Sequence, residues 1–329
     1  MRVLVTGNSR PWKVGASTVR ALRRAGHDTL MLDDRRVKRK IGWTLTQRWA
    51  LRSAKRFDPD FVILDRCHAL DLETVHAMIA GRRRAMWYHD PQWHAHTGLP
   101  QVAHILGVMH LAGTVYVTGF VEQWRAHIAG ARFLPAAGDI EVVPVPPDPR
   151  YASDVAFIGT GYAPERANFL IQVAAHARLR TWGLGWEPWK DRLGATGERV
   201  EGEAFAKVCS SSAICLGVNP KEAQGATDYA SNRIWLTILA GGFYLGQWGP
   251  GLDRLLHDGV HCAWYRDLDE CRARIAHYLA DAPARVRMRE AGEQFVRTHH
   301  TFDQRVRNIL EGREFVNPLA PMARGSAHG

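Results

Sequence analysis

The sequence is poor in cysteine, with five residues (Cys67, Cys209, Cys215, Cys262 and Cys271) among 329. Their number is odd and no two share a C-x-x-C spacing, which excludes a disulfide scaffold and fits free thiols in a reducing compartment. No apolar run reaches the ~18 residues that a membrane span needs. The opening Met-Arg-Val-Leu-Val-Thr-Gly has too short an apolar stretch for a signal peptide and reads as a first β-strand. A cytoplasmic protein is therefore expected. With 46% hydrophobic and 23% charged residues, the chain has enough apolar material for a core and is neither disordered nor collagen-like.

Acidic residues are scarce at one end only. Residues 1–57 hold 15 basic and 3 acidic side chains, residues 58–150 hold 7 and 10, and residues 151–329 hold 21 and 20. The net charge of +10 is thus a property of the first sixth of the chain. Such a surplus points to an anionic partner or to a solvated basic face.

Strand and helix patterns alternate through the first half. Strands are predicted at 3–5, 29–32, 61–64, 85–88 and 114–117, with helices over 16–25, 41–57, 70–80, 101–111 and 121–128. Residues 143–149 (Val-Pro-Val-Pro-Pro-Asp-Pro) then hold four prolines in seven residues, which suits neither a helix nor a central strand. After this linker the pattern restarts. Strands are predicted at 154–158, 179–182, 213–217 and 242–245, and helices over 164–177, 203–209, 233–239, 268–279 and 284–298. The fold class is α/β, with two Rossmann-like domains whose parallel sheets face a cleft. The expected boundaries are 1–145 for the first domain, 146–310 for the second and 311–329 for a tail, disordered at its Gly-, Ala- and Ser-rich end.

Several segments carry chemistry. Ser153 to Leu170 reads as strand, glycine turn and helix start, a pattern that lets backbone approach a phosphate. No Gly-Lys-Ser/Thr follows, so it is not a Walker loop, and it lacks the third glycine of a dinucleotide fingerprint. Further segments are TWGLGW (181–186), SNRIWLTILAGG (231–242) and HHTFDQR (299–305). In the first half, AMWYHDPQWHAH (85–96) follows a strand; His89 and Asp90 are candidates for acid/base work or for orienting a sugar. Asp90-Pro91 also reads as a helix N-cap. His94 and His96 lack a third nearby ligand, so no metal is expected. Of the twelve tryptophans, those beside loops and strand ends, Trp12 and Trp93 among them, suit stacking on sugars or bases. Residues 35–57 join a basic cluster to a helix on which Ile41, Leu45 and Trp49 repeat, a pattern fit for peripheral docking on anionic lipid or for following a nucleic-acid backbone.

In order and spacing, these segments resemble a nucleotide-sugar glycosyltransferase of the GT-B fold, of the group 1 type that includes the CgeB-like proteins. The likeness covers residues 150–310 well. It extends more loosely to the first half through FDPDFVILD (57–65), WYHDP (87–91) and FLPAAGD (133–139). It implies a donor site in which Gly159, Thr160, Gly161 and Arg166 face the diphosphate. Trp182, Gly183, Gly185 and Trp186 would lie near the nucleoside, Asn219 would end a strand at the cleft, and Ser231, Asn232 and Arg233 would start the helix aimed at the phosphates. Asp90 and His89, with Asp228, would be catalytic. Many retaining relatives carry Glu-x(7)-Glu at this helix; here the positions are Asp228 and Leu236, and His261 replaces a further acid. Asp228 favours retention of anomeric configuration. The resemblance implies no resident cofactor, the nucleotide sugar being a substrate. The acceptor would be a hydroxyl on envelope polysaccharide, a lipid-linked or other glycan, or a modified DNA base. The competing reading is a catalytically silent relative that binds nucleic acid or a partner through its basic arm.

Overall fold

The structure is a computed structural model and describes residues 1–90, 100–194, 197–219 and 227–319. The first sheet holds β1 (Arg2–Thr6), β2 (Asp28–Leu32), β3 (Phe61–Leu64), β4 (Arg83–Tyr88), β5 (Val115–Val117) and β6 (Ala131–Phe133). Its strands run in the order β2-β1-β3-β4-β5-β6, all parallel, with Val3 opposite Phe61 and Met86 opposite Val115. The second sheet holds β7 (Ser153–Ile158), β8 (Leu179–Trp182), β9 (Ser212–Gly217), β10 (Tyr244–Gln247) and β11 (Ala263–Tyr265), in the order β11-β10-β9-β7-β8, again all parallel. β3 is buried throughout, as expected of a central strand covered on both faces. The α/β class and the paired Rossmann-like sheets follow directly.

The helix expected over 41–57 begins earlier and is broken. Asp33 caps α2 (Asp34–Ile41) by accepting the Arg36 amide at 2.9 Å, Gly42 turns the chain at φ +78°, and α3 (Trp43–Phe57) follows. On α3, Trp49 packs against the core while Trp43 and Leu45 stay exposed, as does Ile41 at the end of α2. The three-residue strands β6 and β11 show no usable period and escape the sequence reading.

The largest difference lies at the end of the chain. α12 (Ala282–His299) leaves the second domain, and α13 (Phe302–Glu311) packs on the first sheet beside α1 (Val14–Arg24). Phe302, Val306, Ile309 and Leu310 share a core with Val3, Val5, Phe61 and Ile63. Burying each of these side chains contributes about 1.5–3 kcal/mol. Residues 302–310, expected in the second domain, and Glu311, expected in the tail, thus complete the first.

Two sequence segments meet at this crossover. The Gly138 amide donates to the His300 carbonyl at 2.8 Å, and the Phe302 amide to the Gly138 carbonyl at 3.0 Å. Arg305, fully buried, donates to the carbonyls of Pro135 (3.0 Å) and His299 (3.3 Å) and to Nδ1 of His300 (2.8 Å). Asp139, also buried, accepts from Arg20. FLPAAGD and HHTFDQR therefore build the junction between domains.

Candidate active site

The carboxyl ends of β7 and β8 carry two glycine loops that interlock. The Gly159 amide donates to the Trp182 carbonyl and the Gly161 amide to the Leu184 carbonyl, both at 2.8 Å. Gly183 sits at φ +142°, and a Cβ there would meet the Gly159 carbonyl at 2.1 Å. These glycines exist for close approach of backbone to backbone. The Gly159 and Gly161 amides are accordingly spent within the fold. Trp186, fully buried, donates to the Gly159 carbonyl at 2.9 Å and packs edge-on against Phe157. It supports the loop from beneath, where the resemblance had set it beside the nucleoside. Arg166 likewise donates to the Thr160 carbonyl at 3.1 Å and braces the turn. Gly185 at φ +81° lies under the Tyr162 ring.

Above these loops lies a cavity of about 440 Å³. Gly159, Thr160, Trp182 and Gly183 form one wall, and Asn232, Arg233 and Leu236 of α10 (Asn232–Leu239) another. Across it stand Trp12 and Lys13, from the loop after β1 in the first domain. Lys13 pairs with Glu201 at 3.4 Å, and Trp12 meets Phe205 edge to face with centroids 6.2 Å apart. The cavity is thus walled by both domains.

Its strongest anion-binding feature is Arg233. The side chain is half-buried, its guanidinium lies over the Phe157 ring at 5.2 Å, and it has no carboxylate within ion-pair reach among the described residues. Burial lowers its pKa, so the cation stands uncompensated. It sits at the start of α10, where Ser231 is the N-cap and makes no side-chain cap bond. Asn232 Oδ1 is buried without a partner among the described residues. A helix start beside an arginine is an arrangement that suits anions in general.

From the first domain, the end of β4 brings Asp90 and His89. Asp90 accepts from Arg66 Nη1 at 2.6 Å. The phenol of Tyr229, pushed up to about 12 chiefly by burial, feels the charges of Asp90, Arg233 and Arg166 together. Arg233 lines the cavity, while Asp90 does not. The His89 ring packs at a tilt of 52° against Trp87, with centroids 4.2 Å apart, and both its ring nitrogens are shielded from solvent and unpartnered among the described residues. Burial depresses its pKa to about 3, so the ring is neutral.

Asp228 departs from expectation. It adopts φ +62°, its carboxylate pairs with Arg254, and it lines a separate cavity with Val121 and Phe315. The left-handed backbone turns it away from the donor cavity, and with it goes the residue on which retention rested. Asn219 donates its amide to Gln247 Oε1 at 3.3 Å and does not line the cavity. His94, His96 and Trp93 lie outside the described residues. Among the described residues no three His, Cys, Asp or Glu side chains gather as a metal site, and no helix is long and apolar enough to cross a membrane. Sequence reasoning missed Lys13, Glu201, Phe205 and Tyr229. Only Trp12, a tryptophan in a strand-end loop, carried a local signal.

Residues 166–311 match the family model described as glycosyl transferase-like. No curated protein matches the chain by sequence. HepE from Anabaena, solved with UDP and glucose, superposes with a TM-score of 0.67 at 12% identity, over 95% of this chain and 100% of that one. Sucrose-phosphate synthase from Thermosynechococcus elongatus gives 0.65 at 11%, over 94% and 98%. An α-glucosyltransferase solved with UDP and a 13-mer DNA containing an HMU base gives 0.63 at 11%, over 94% and 99%. At such identities the likeness is one of fold, and that fold is GT-B. The chain has the GT-B fold, and residues 166–311 resemble the glycosyl transferase-like family; neither finding reaches the narrower CgeB-like grouping.

Proposed function

We propose that this protein transfers a sugar, a hexose by preference, from a nucleotide-sugar donor to a hydroxyl acceptor. The observation that carries the reading is Arg233, a half-buried cation with no carboxylate partner among the described residues, at a helix start without a side-chain cap, on the wall of an interdomain cavity. A diphosphate supplies the missing charge. Arg233 and the first amides of α10 then stabilise the leaving nucleoside diphosphate as the bond from the anomeric carbon to phosphate oxygen breaks. The acceptor oxygen forms the new bond to that carbon, and its proton passes to Asp90, which Arg66 orients. Trp12, Trp182 and Phe205 offer apolar surface to the nucleoside, and Leu236 adds to it where relatives carry a glutamate.

The test is thermal shift with UDP-, GDP-, dTDP- and CMP-sugars, followed by assay of released nucleoside diphosphate. At least one donor is expected to raise the melting temperature, and Arg233→Ala to abolish that rise. No shift with any donor, and no release, would overturn the reading.

A further inference from the structure

A second cavity, also of about 440 Å³, opens at the carboxyl ends of β1, β2 and β3 in the first domain. Five arginines line it: Arg10, Arg35, Arg36, Arg39 and Arg66. Arg66 is balanced by Asp65 at 3.5 Å and Asp90 at 2.6 Å. The other carboxylates of the cavity are engaged by backbone. Asp33 accepts the amides of Ser9 and Arg36, both at 2.9 Å, and Asp34 accepts the Ala69 amide at 2.7 Å. Arg10, Arg35 and Arg39 are exposed and make no ion pair among the described residues, and Arg36 reaches only Ser9 Oγ at 3.5 Å. The cavity thus presents a rim of unneutralised guanidiniums over a wall that includes the Asp65 carboxylate.

That lining discriminates between anions. Guanidiniums at a rim grip a phosphoryl group through paired hydrogen bonds. A carboxylate wall accepts hydroxyl groups but repels a continuous phosphate backbone. The position matters equally. Gly7, Asn8 and Arg10 line this cavity, and Pro11, Trp12 and Lys13, next in the same loop, line the donor cavity. The loop after β1 therefore borders both cavities. Arg66, which lines this one, holds Asp90 at the end of β4.

We propose that this cavity is the anchoring subsite for an acceptor that is a phosphorylated polyol, either a soluble sugar phosphate or the phospho-polyol headgroup of a lipid. Its phosphoryl group sits among Arg10, Arg35, Arg36 and Arg39, and a hydroxyl points towards Asp90 and the donor cavity. The assignment rests on the transferase reading, but binding is measured without donor and so stands or falls separately.

Calorimetric titrations of the full chain would use inorganic phosphate, glucose 6-phosphate, glucose, phosphatidylinositol-containing vesicles and duplex DNA. The double variant Arg35→Ala/Arg39→Ala is compared with Arg192→Ala/Arg287→Ala, which removes the same charge from the exposed surface of the second domain. Glucose 6-phosphate is expected to bind, glucose not, and the first double variant to weaken binding at least tenfold while the second leaves it unchanged. Binding of the vesicles alone, with the same dependence on Arg35 and Arg39, assigns the lipid source. Binding of DNA alone, equal loss in both double variants, or no phosphate binding overturns the proposal. A nucleotide-sugar thermal shift that persists in that event leaves the donor site intact.

Discussion

Arg66 Nη1 donates to Asp90 Oδ2 at 2.6 Å, and this bond ties the carboxylate after β4 to the arginine-lined cavity. A carboxylate held in that way has a fixed direction. Asp90→Asn removes the proton acceptor and keeps the shape. Turnover is expected to fall by about 10²–10⁴ while donor KM stays within a few fold. An unchanged kcat would remove Asp90 from the chemistry.

Arg233→Met separates binding from folding. The substitution deletes a half-buried cation that has no carboxylate partner among the described residues, so the unliganded protein should melt at the same or a higher temperature. The rise produced by a nucleotide sugar should vanish. A purely structural arginine would instead lower the unliganded melting temperature.

Gly183→Ala tests the interlocked loops. Its Cβ would meet the Gly159 carbonyl at 2.1 Å, at a backbone φ of +142°. A loss of about 3 kcal/mol in urea unfolding is expected, together with the nucleotide response. Gly81→Ala is the control: φ is also positive there, but no atom lies within 4 Å, and the cost should be about 1 kcal/mol. Equal losses at both positions would dismiss the steric argument.

His89 makes stability depend on pH. Its ordinary pKa of 6.5 falls to about 3 in the folded chain because burial disfavours the cation. Between these values the unfolded chain binds a proton that the folded chain excludes. The His89 contribution is therefore complete above pH 6.5 and is lost as pH falls towards 3, at up to about 1.4 kcal/mol per pH unit. Urea midpoints at pH 7.5, 6.5 and 5.5 should decline on acidification, less steeply in His89→Phe. Parallel slopes would show that the ring is free to protonate.

Arg305→Met probes the junction between domains. It strips hydrogen bonds from the Pro135 and His299 carbonyls, while relieving a guanidinium whose pKa burial has lowered to about 9. A net loss of about 2–3 kcal/mol is expected in urea unfolding. An unchanged midpoint would mean that the helix crossover holds without it.

What the amino-acid sequence determined by itself was local. Strand, glycine turn and helix in residues 153–174, and the helix start that carries Arg233, are legible because period, caps and turn residues act over a few neighbours. The basic surplus of the first 57 residues is legible for the same reason, as plain composition. Contacts between distant segments were decided only in three dimensions. The carbonyls of Trp182 and Leu184 claim the amides of Gly159 and Gly161, and a left-handed backbone swings Asp228 to Arg254. The final helix buries its apolar face on a sheet formed some 300 residues earlier. Periodicity tells that such a face must be covered; which surface covers it depends on packing that no short stretch of chain encodes.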